Sequence, residues 1–188
     1  MKSHRLFWVL GVVLLLGAGA AAALFFSARR DVTTSSGAAY QAYREATVNE
    51  SRFYGKEARI GYARALELDP HFAMAMLGLA RQGKDEEQAV VLVKRAARES
   101  GRLTERERLH VGMQLAFVEK RRDDAVKIAR ELHEKYPQDV RSAMTLASVE
   151  LQKGRPEQAI KIFEELLSIE PNNAEAYNQI GYYYGYRG

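Results

Sequence analysis

A pattern returns along this sequence at a fixed interval, and few folds accommodate such a repeat. The interval is the one that separates Pro137 from Pro171, and Pro70 precedes Pro137 by one position less than twice that distance. Each proline closes a run rich in Leu, Glu and Ala: ALELDP, RELHEKYP and ELLSIEP. Ahead of them stand Ala58, Tyr62 and Ala65, then Ala125, Ala129 and Leu132, then Ala159, Phe163 and Leu166, with the same offsets each time. Ala89, Val93 and Ala96 share the spacing but meet Gly101 where the proline would stand. A second set marks the preceding segments. Leu109, Gly112, Met113 and Ala116 recur one interval on as Ala143, Leu146, Ala147 and Glu150, and again as Tyr177, Ile180, Gly181 and Tyr184. Met76, Leu79, Ala80 and Gly83 form a weaker copy.

Offsets of three and four place residues on one face of a helix, and no alternating strand pattern competes. Small residues such as Gly112, Ala125, Ala147 and Ala159 are expected where two antiparallel helices approach closely. Leu146, Phe163 and Leu166 are expected to fill the gaps. A lone hairpin of this kind cannot bury its apolar face, so neighbours must stack. The expected fold is therefore all-α, an antiparallel helix-hairpin solenoid. Its helices pair as 38–50 with 53–68, 72–82 with 86–99, 105–119 with 122–135 and 140–152 with 156–168, followed by 174–185. Thr104-x-x-Glu107 and Asn172-x-x-Glu175 read as capping boxes. Asp139 reads as a cap, and Pro156 as a first-turn residue after Gly154.

The register resembles the tetratricopeptide repeat, over about residues 39 to 188 and most strongly from Thr104 to Gly185. The resemblance implies a superhelix whose concave face is lined by the first helix of each pair. Mapped onto this chain, that face carries Leu77, Arg81 and Lys84, then His110, Gln114 and Phe117, then Arg141, Met144, Ser148 and Gln152, and last Asn178 and Tyr182. Members that grip a carboxylate cluster Lys, Arg and Asn on this face. Here Arg81, Lys84, Arg141 and Asn178 are scattered over four units, which favours a peptide or a protein surface as the ligand.

Composition places a membrane segment at the N-terminus. The chain has 28 Lys and Arg against 24 Asp and Glu, a net charge of +4. The excess is local, because Lys2, Arg5, Arg29 and Arg30 flank an apolar run and the rest balance. A neutral repeat domain is not a basic nucleic-acid binder. From Leu6 to Phe26 the run carries no charge at all. As a helix it is roughly 30 Å long, the thickness of a hydrocarbon core. Arg5 and Trp8 flank it at one end, Arg29 and Arg30 at the other. A cleaved signal peptide is the alternative, compatible with the Ala-rich stretch Gly17 to Ala23. The run is longer than a signal core and returns to bulky Leu24-Phe25-Phe26, so an uncleaved anchor in lipid around residues 6–26 is expected. Basic residues balance across the run, so charge gives no orientation. A short inner tail with the repeat domain outside the cytoplasm of a bacterial inner membrane is the expected topology. The organisation is then anchor 1–30, polar tether 31–37 and repeat domain 38–188.

Catalytic chemistry finds no support. Without cysteine there is no thiolate nucleophile and no Cys-based metal site. His4, His71, His110 and His133 form no ligand pair, and no nucleophile elbow or phosphate loop occurs. The acidic pairs Glu86-Glu87, Asp123-Asp124 and Glu164-Glu165 read as solvated helix faces. No enzyme and no cofactor are expected. The expected role is a membrane-tethered scaffold that holds a protein or peptide partner. Alternatives are a peripheral structural subunit of a larger membrane complex, or the repeat-bearing fragment of a longer regulatory protein. The last unit lacks its second helix, and its end is aromatic: Tyr177, Tyr182, Tyr183, Tyr184 and Tyr186. A following helix of a longer chain, a partner or a second copy is expected to cover it.

Overall fold

The helices that follow Ser36, Asp85, Thr104 and Asp139 start on a side-chain cap. The computed structural model describes residues 31–185. The expected anchor, with Arg5, Trp8, Arg29 and Arg30, lies outside the described residues, as does Tyr186. Among the described residues the α-helices are α1 Gly37–Ser51, α2 Gly55–Leu68, α3 Ala73–Gln82, α4 Glu86–Arg98, α5 Glu105–Val118, α6 Arg122–Lys135, α7 Val140–Gln152, α8 Pro156–Ile169 and α9 Ala174–Gly185. A 3₁₀ turn, Ser100–Arg102, joins α4 to α5. Expected and observed ends differ by no more than two positions. No helix among the described residues is long and apolar enough to cross a membrane.

The capping box at Thr104 and Glu107 is formed, with both reciprocal bonds present. Asp139 caps α7 by accepting from the Ser142 N–H at 3.0 Å. The box expected at Asn172 is not what opens α9. Asn173, the next position along, accepts from the Ala176 N–H at 2.9 Å and donates to Glu170 at 2.6 Å.

The turns after α1, α5 and α7 repeat in detail, while that after α3 passes through Gly83 in an extended conformation. Phe53, Lys120 and Gly154 all have positive φ, at 61°, 60° and 68°. In each case the N–H of that residue and the next donate back into the helix just ended. Tyr54 donates to Asn49, Arg121 to Ala116 and Arg155 to Glu150. These are the paired bonds of a Schellman motif. The first two turns hold a side-chain-bearing residue in a region that suits glycine.

Four hairpins follow: α1/α2, α3/α4, α5/α6 and α7/α8, called units 1 to 4, with α9 packed on α8. Each helix packs on the next along the chain, and α3 also meets α5. Tyr62, Phe72, Met76 and Leu77 fill the core of units 1 and 2, joined by Leu92, Val93 and Val111. A small alanine-lined cluster in unit 3, Met113, Ala116, Ala125 and Ala129, leads to one around Phe163 and Leu166. Ala125, Ala147 and Ala159 are fully buried, as expected of small residues at a close approach.

Gly112 is not such a position. A Cβ there would meet nothing closer than Ile128 Cδ1 at 3.7 Å. A tight approach lies one repeat earlier, at Gly78, where a Cβ would run into the ring of Tyr62. Tyr62 cannot retreat easily, because it is fully buried against Tyr43, with ring centroids 5.8 Å apart.

The polar run read as a tether is bound to the repeat units. Val32 is buried in the core shared by units 1 and 2. Thr33 donates from N–H and Oγ1 to the two oxygens of Glu107, at 2.5 and 2.6 Å. The Thr34 hydroxyl, the Ser35 N–H and the Ser35 hydroxyl all donate to Asp69, at 2.6, 2.9 and 3.0 Å. Ser36 then caps α1, accepting from the Ala39 N–H.

Candidate functional site

Glu50, near the end of α1, anchors the polar network on the first helices of the units. It accepts from the Tyr62 hydroxyl at 2.5 Å and from Arg81 in a two-pronged bond, Nε at 2.9 Å and Nη2 at 3.1 Å. Arg141, from α7, forms an ion pair with the same carboxylate at 3.1 Å. Burial alone would raise the Glu50 carboxyl. Arg141, Arg81 and the Tyr62 hydroxyl outweigh it and hold the group well below the usual carboxylate range. Burial and the Glu50 charge together push the Tyr62 phenol up. The expectation that Arg81 and Arg141 stand apart is therefore corrected: the structure brings both onto one carboxylate.

A second node is centred on Asp139. Its Oδ2 accepts from Arg106 Nε at 2.8 Å and lies 2.7 Å from His110 Nε2. Burial would raise this carboxyl too, but His110, the Ser142 N–H and Arg106 bring it well below the ordinary value. His110 is thus a buried partner of Asp139 and not a groove ligand, which corrects its place among the binding candidates. Arg106 and His110 sit four apart on α5, a spacing that puts both on one face.

Leu77 also departs from expectation. It is 1% exposed and belongs to the core of units 1 and 2. Phe117 and Met144 are half-buried, packed against the clusters of units 3 and 4. Gln114 is half-buried, whereas Lys84, Ser148, Gln152, Asn178 and Tyr182 are exposed. The Ser148 hydroxyl donates back to the Met144 carbonyl at 2.9 Å.

The last helix presents an open aromatic face. Tyr177, Asn178, Gly181, Tyr182 and Gly185 line a cleft of about 390 Å³. Tyr177, Tyr182 and Tyr184 are each more than half exposed. Tyr183 differs from the expected exposed patch. It is half-buried against the unit 4 cluster, and its hydroxyl donates to Glu157 at 3.1 Å. Its ring meets that of Tyr184 edge-on, with centroids 5.1 Å apart. Among the described residues no group of three or more His, Cys, Asp or Glu is placed to hold a metal ion.

Asp69 and Glu107 hold the N-terminal run, a role for which the sequence carries no local signal. Both are buried. Burial would raise Asp69, but the Thr34 hydroxyl and the Ser35 and His71 N–H groups lower it.

Stacked antiparallel hairpins with recurring turns, small-residue contacts and one helix of each pair facing its counterparts define an α-solenoid built on one repeated helix pair. Residues 116–180 match the family model described as tetratricopeptide repeat. No curated protein matches the chain. Among solved structures, two of the MamA protein are similar at 18% and 16% identity, covering 79% and 73% of this chain and 81% of each of theirs. Their TM-scores are 0.40 and 0.38. YrrB, titled a TPR protein with an unusual peptide-binding site, is similar at 20% identity, over 78% of this chain and 76% of its own, with a TM-score of 0.38.

Proposed function

We propose that this chain is a membrane-tethered protein-interaction scaffold that holds a protein or peptide partner and performs no catalysis. The observation that carries this reading is the match to the tetratricopeptide repeat over residues 116–180, set in a stack that exposes Ser148, Gln152, Asn178 and Tyr182 on first helices and Lys84 in the turn after α3. Mixed polar and aromatic side chains of this kind suit an extended or helical peptide better than a small metabolite. Tethering rests on the sequence: an uncharged run from Leu6 to Phe26 between Arg5 and Arg29-Arg30, with Trp8 near one end. A bacterial inner membrane, with the repeats outside the cytoplasm, is the proposed setting.

Site-specific photo-crosslinking in cells tests the partner. Probes at Lys84, Gln152 and Asn178 are expected to capture one discrete protein, and a probe at Lys161 on the second helix of unit 4 is not. Equal capture at both faces, or none at the first, would count against groove recruitment. Capture confined to Tyr177, Tyr182 and Tyr184 would indicate a built-in subunit of a larger complex. Alkaline carbonate extraction with intact-mass analysis tests the anchor. Release of a protein that has lost its N-terminal apolar run would refute it.

A further inference from the structure

In a stacked solenoid each unit touches its neighbours, and the shape is the sum of small rotations from one unit to the next. End-to-end geometry is therefore soft, because each interface contributes its own small error. The Glu50 cluster departs from nearest-neighbour contact. Glu50 belongs to unit 1, Arg81 to unit 2 and Arg141 to unit 4, so the pair Glu50–Arg141 joins two units with the whole of unit 3 between them in sequence. We propose that the Glu50–Arg141 ion pair is a latch across the inner side of the solenoid, which holds units 1 and 4 together and sets how far the array opens.

The cluster is built so that the latch can open without dismantling the core. Glu50 keeps two other partners, the Tyr62 hydroxyl and the Arg81 fork, when Arg141 leaves. The carboxylate is then never buried unpaired, which is the costly outcome for a buried charge. Arg141 itself is 35% exposed at its side chain, whereas Glu50 is 12% exposed. The arginine can move into water and the glutamate is the fixed jaw. Arg141 also lies just past the Asp139 cap, so its backbone stays in place through the Ser142 and Ala143 N–H bonds to Asp139 whether or not the side chain is engaged. A guanidinium on a well-held helix, reaching a carboxylate on a non-adjacent unit, gives the array a closed state and an open one.

The test uses the full chain in detergent, which has no native cysteine to interfere. Exposed Gln41 on α1 and Gln152 on α7 are replaced as Gln41→Cys and Gln152→Cys and carry spin labels. Electron–electron double resonance then reads the distance distribution between units 1 and 4. The parent is expected to give one narrow distribution. Arg141→Gln is expected to lengthen the mean by several ångströms and broaden it, with helical circular dichroism unchanged. Arg141→Lys, which keeps the charge, is expected to restore much of the narrow component. A folded Arg141→Gln variant with the parent's distribution would overturn the latch. Should that variant not fold, salt at about 1 M on the parent decides, because it screens a partly exposed pair. Broadening with salt supports the latch, and an unchanged narrow distribution overturns it.

Discussion

Gly78 and Gly112 hold the same repeat position on the first helices of units 2 and 3, and alanine at the two sites is expected to act in opposite directions. Replacing a mid-helix glycine with alanine gains about 0.8–1 kcal/mol of helix propensity at either site. At Gly112 nothing opposes the gain, since the new Cβ would make ordinary contact with Ile128 Cδ1 at 3.7 Å. At Gly78 the Cβ would fall inside contact distance of the Tyr62 ring. That ring is fully buried and tied through its hydroxyl to Glu50 at 2.5 Å. Overpacking a core typically costs about 1–3 kcal/mol. Displacing the tyrosine would also weaken a bond to a charged acceptor worth about 1.5–3 kcal/mol. The net effect of Gly78→Ala is then a loss of about 2 kcal/mol, and that of Gly112→Ala a gain of about 0.5–1 kcal/mol. Urea unfolding followed by circular dichroism reads both. With a slope of about 2 kcal/mol per molar, the midpoint falls by about 1 M for the first and rises by a few tenths for the second. A neutral Gly78→Ala would refute the placement of Tyr62 against α3, and a destabilising Gly112→Ala would refute the open space beside Ile128.

Lys120→Gly is expected to raise the thermal midpoint by relieving about 1–2 kcal/mol of left-handed backbone cost, whereas Gly154→Ala at the matching turn should lower it. Ala159→Leu should destabilise by about 1–3 kcal/mol, while Ala174→Leu at a half-buried helix start should have little effect; comparable midpoints for the two would count against the helix contacts drawn for unit 4. Glu50 and Asp139 have carboxyls lowered in the folded state from 4.5 and 3.8. Their contribution to stability is therefore complete above those values and is lost as pH falls below them, when the unfolded chain binds protons first. Denaturant midpoints measured from neutral pH down to about pH 3 should fall, and Asp139→Asn should lower the neutral-pH midpoint and flatten the curve; a parallel curve would exclude Asp139 as a source of the acid sensitivity.

The helices were legible because the signals that place them are local. Thr104-x-x-Glu107, Asp139 and Pro156 each act within one turn, and the spacing Ala159, Phe163, Leu166 needs only helical geometry to fall on a buried face. Asn173 in place of Asn172 shows where that reach ends. The motif is readable, but the residue that becomes the cap depends on how the chain leaves α8 at Glu170. The candidate face was less legible. Leu77 and His110 follow from mapping the first helix of each repeat onto this register, but part of each first helix also packs inward, where Leu77 joins the core and His110 meets Asp139. Glu50 carries no local signal because its arginine partners lie on units 2 and 4, and curvature that brings Arg141 to it accumulates over the stack. The run Val32 to Ser36 looked like a linker by composition. Its hydroxyls find acceptors only because Asp69, at the end of α2, and Glu107, in the first turn of α5, face the same strip of chain.

That docked strip has a mechanical consequence. A load drawn on the chain ahead of Val32 does not first reach the end of α1. It meets the bonds from Thr33 to Glu107 and from Thr34 and Ser35 to Asp69, together with the buried Val32 side chain. Those bonds distribute the pull over two units at once, so it must break several of them together before it can peel a helix from the stack one turn at a time. The repeat array is thereby shielded from unravelling at the end where tension would enter.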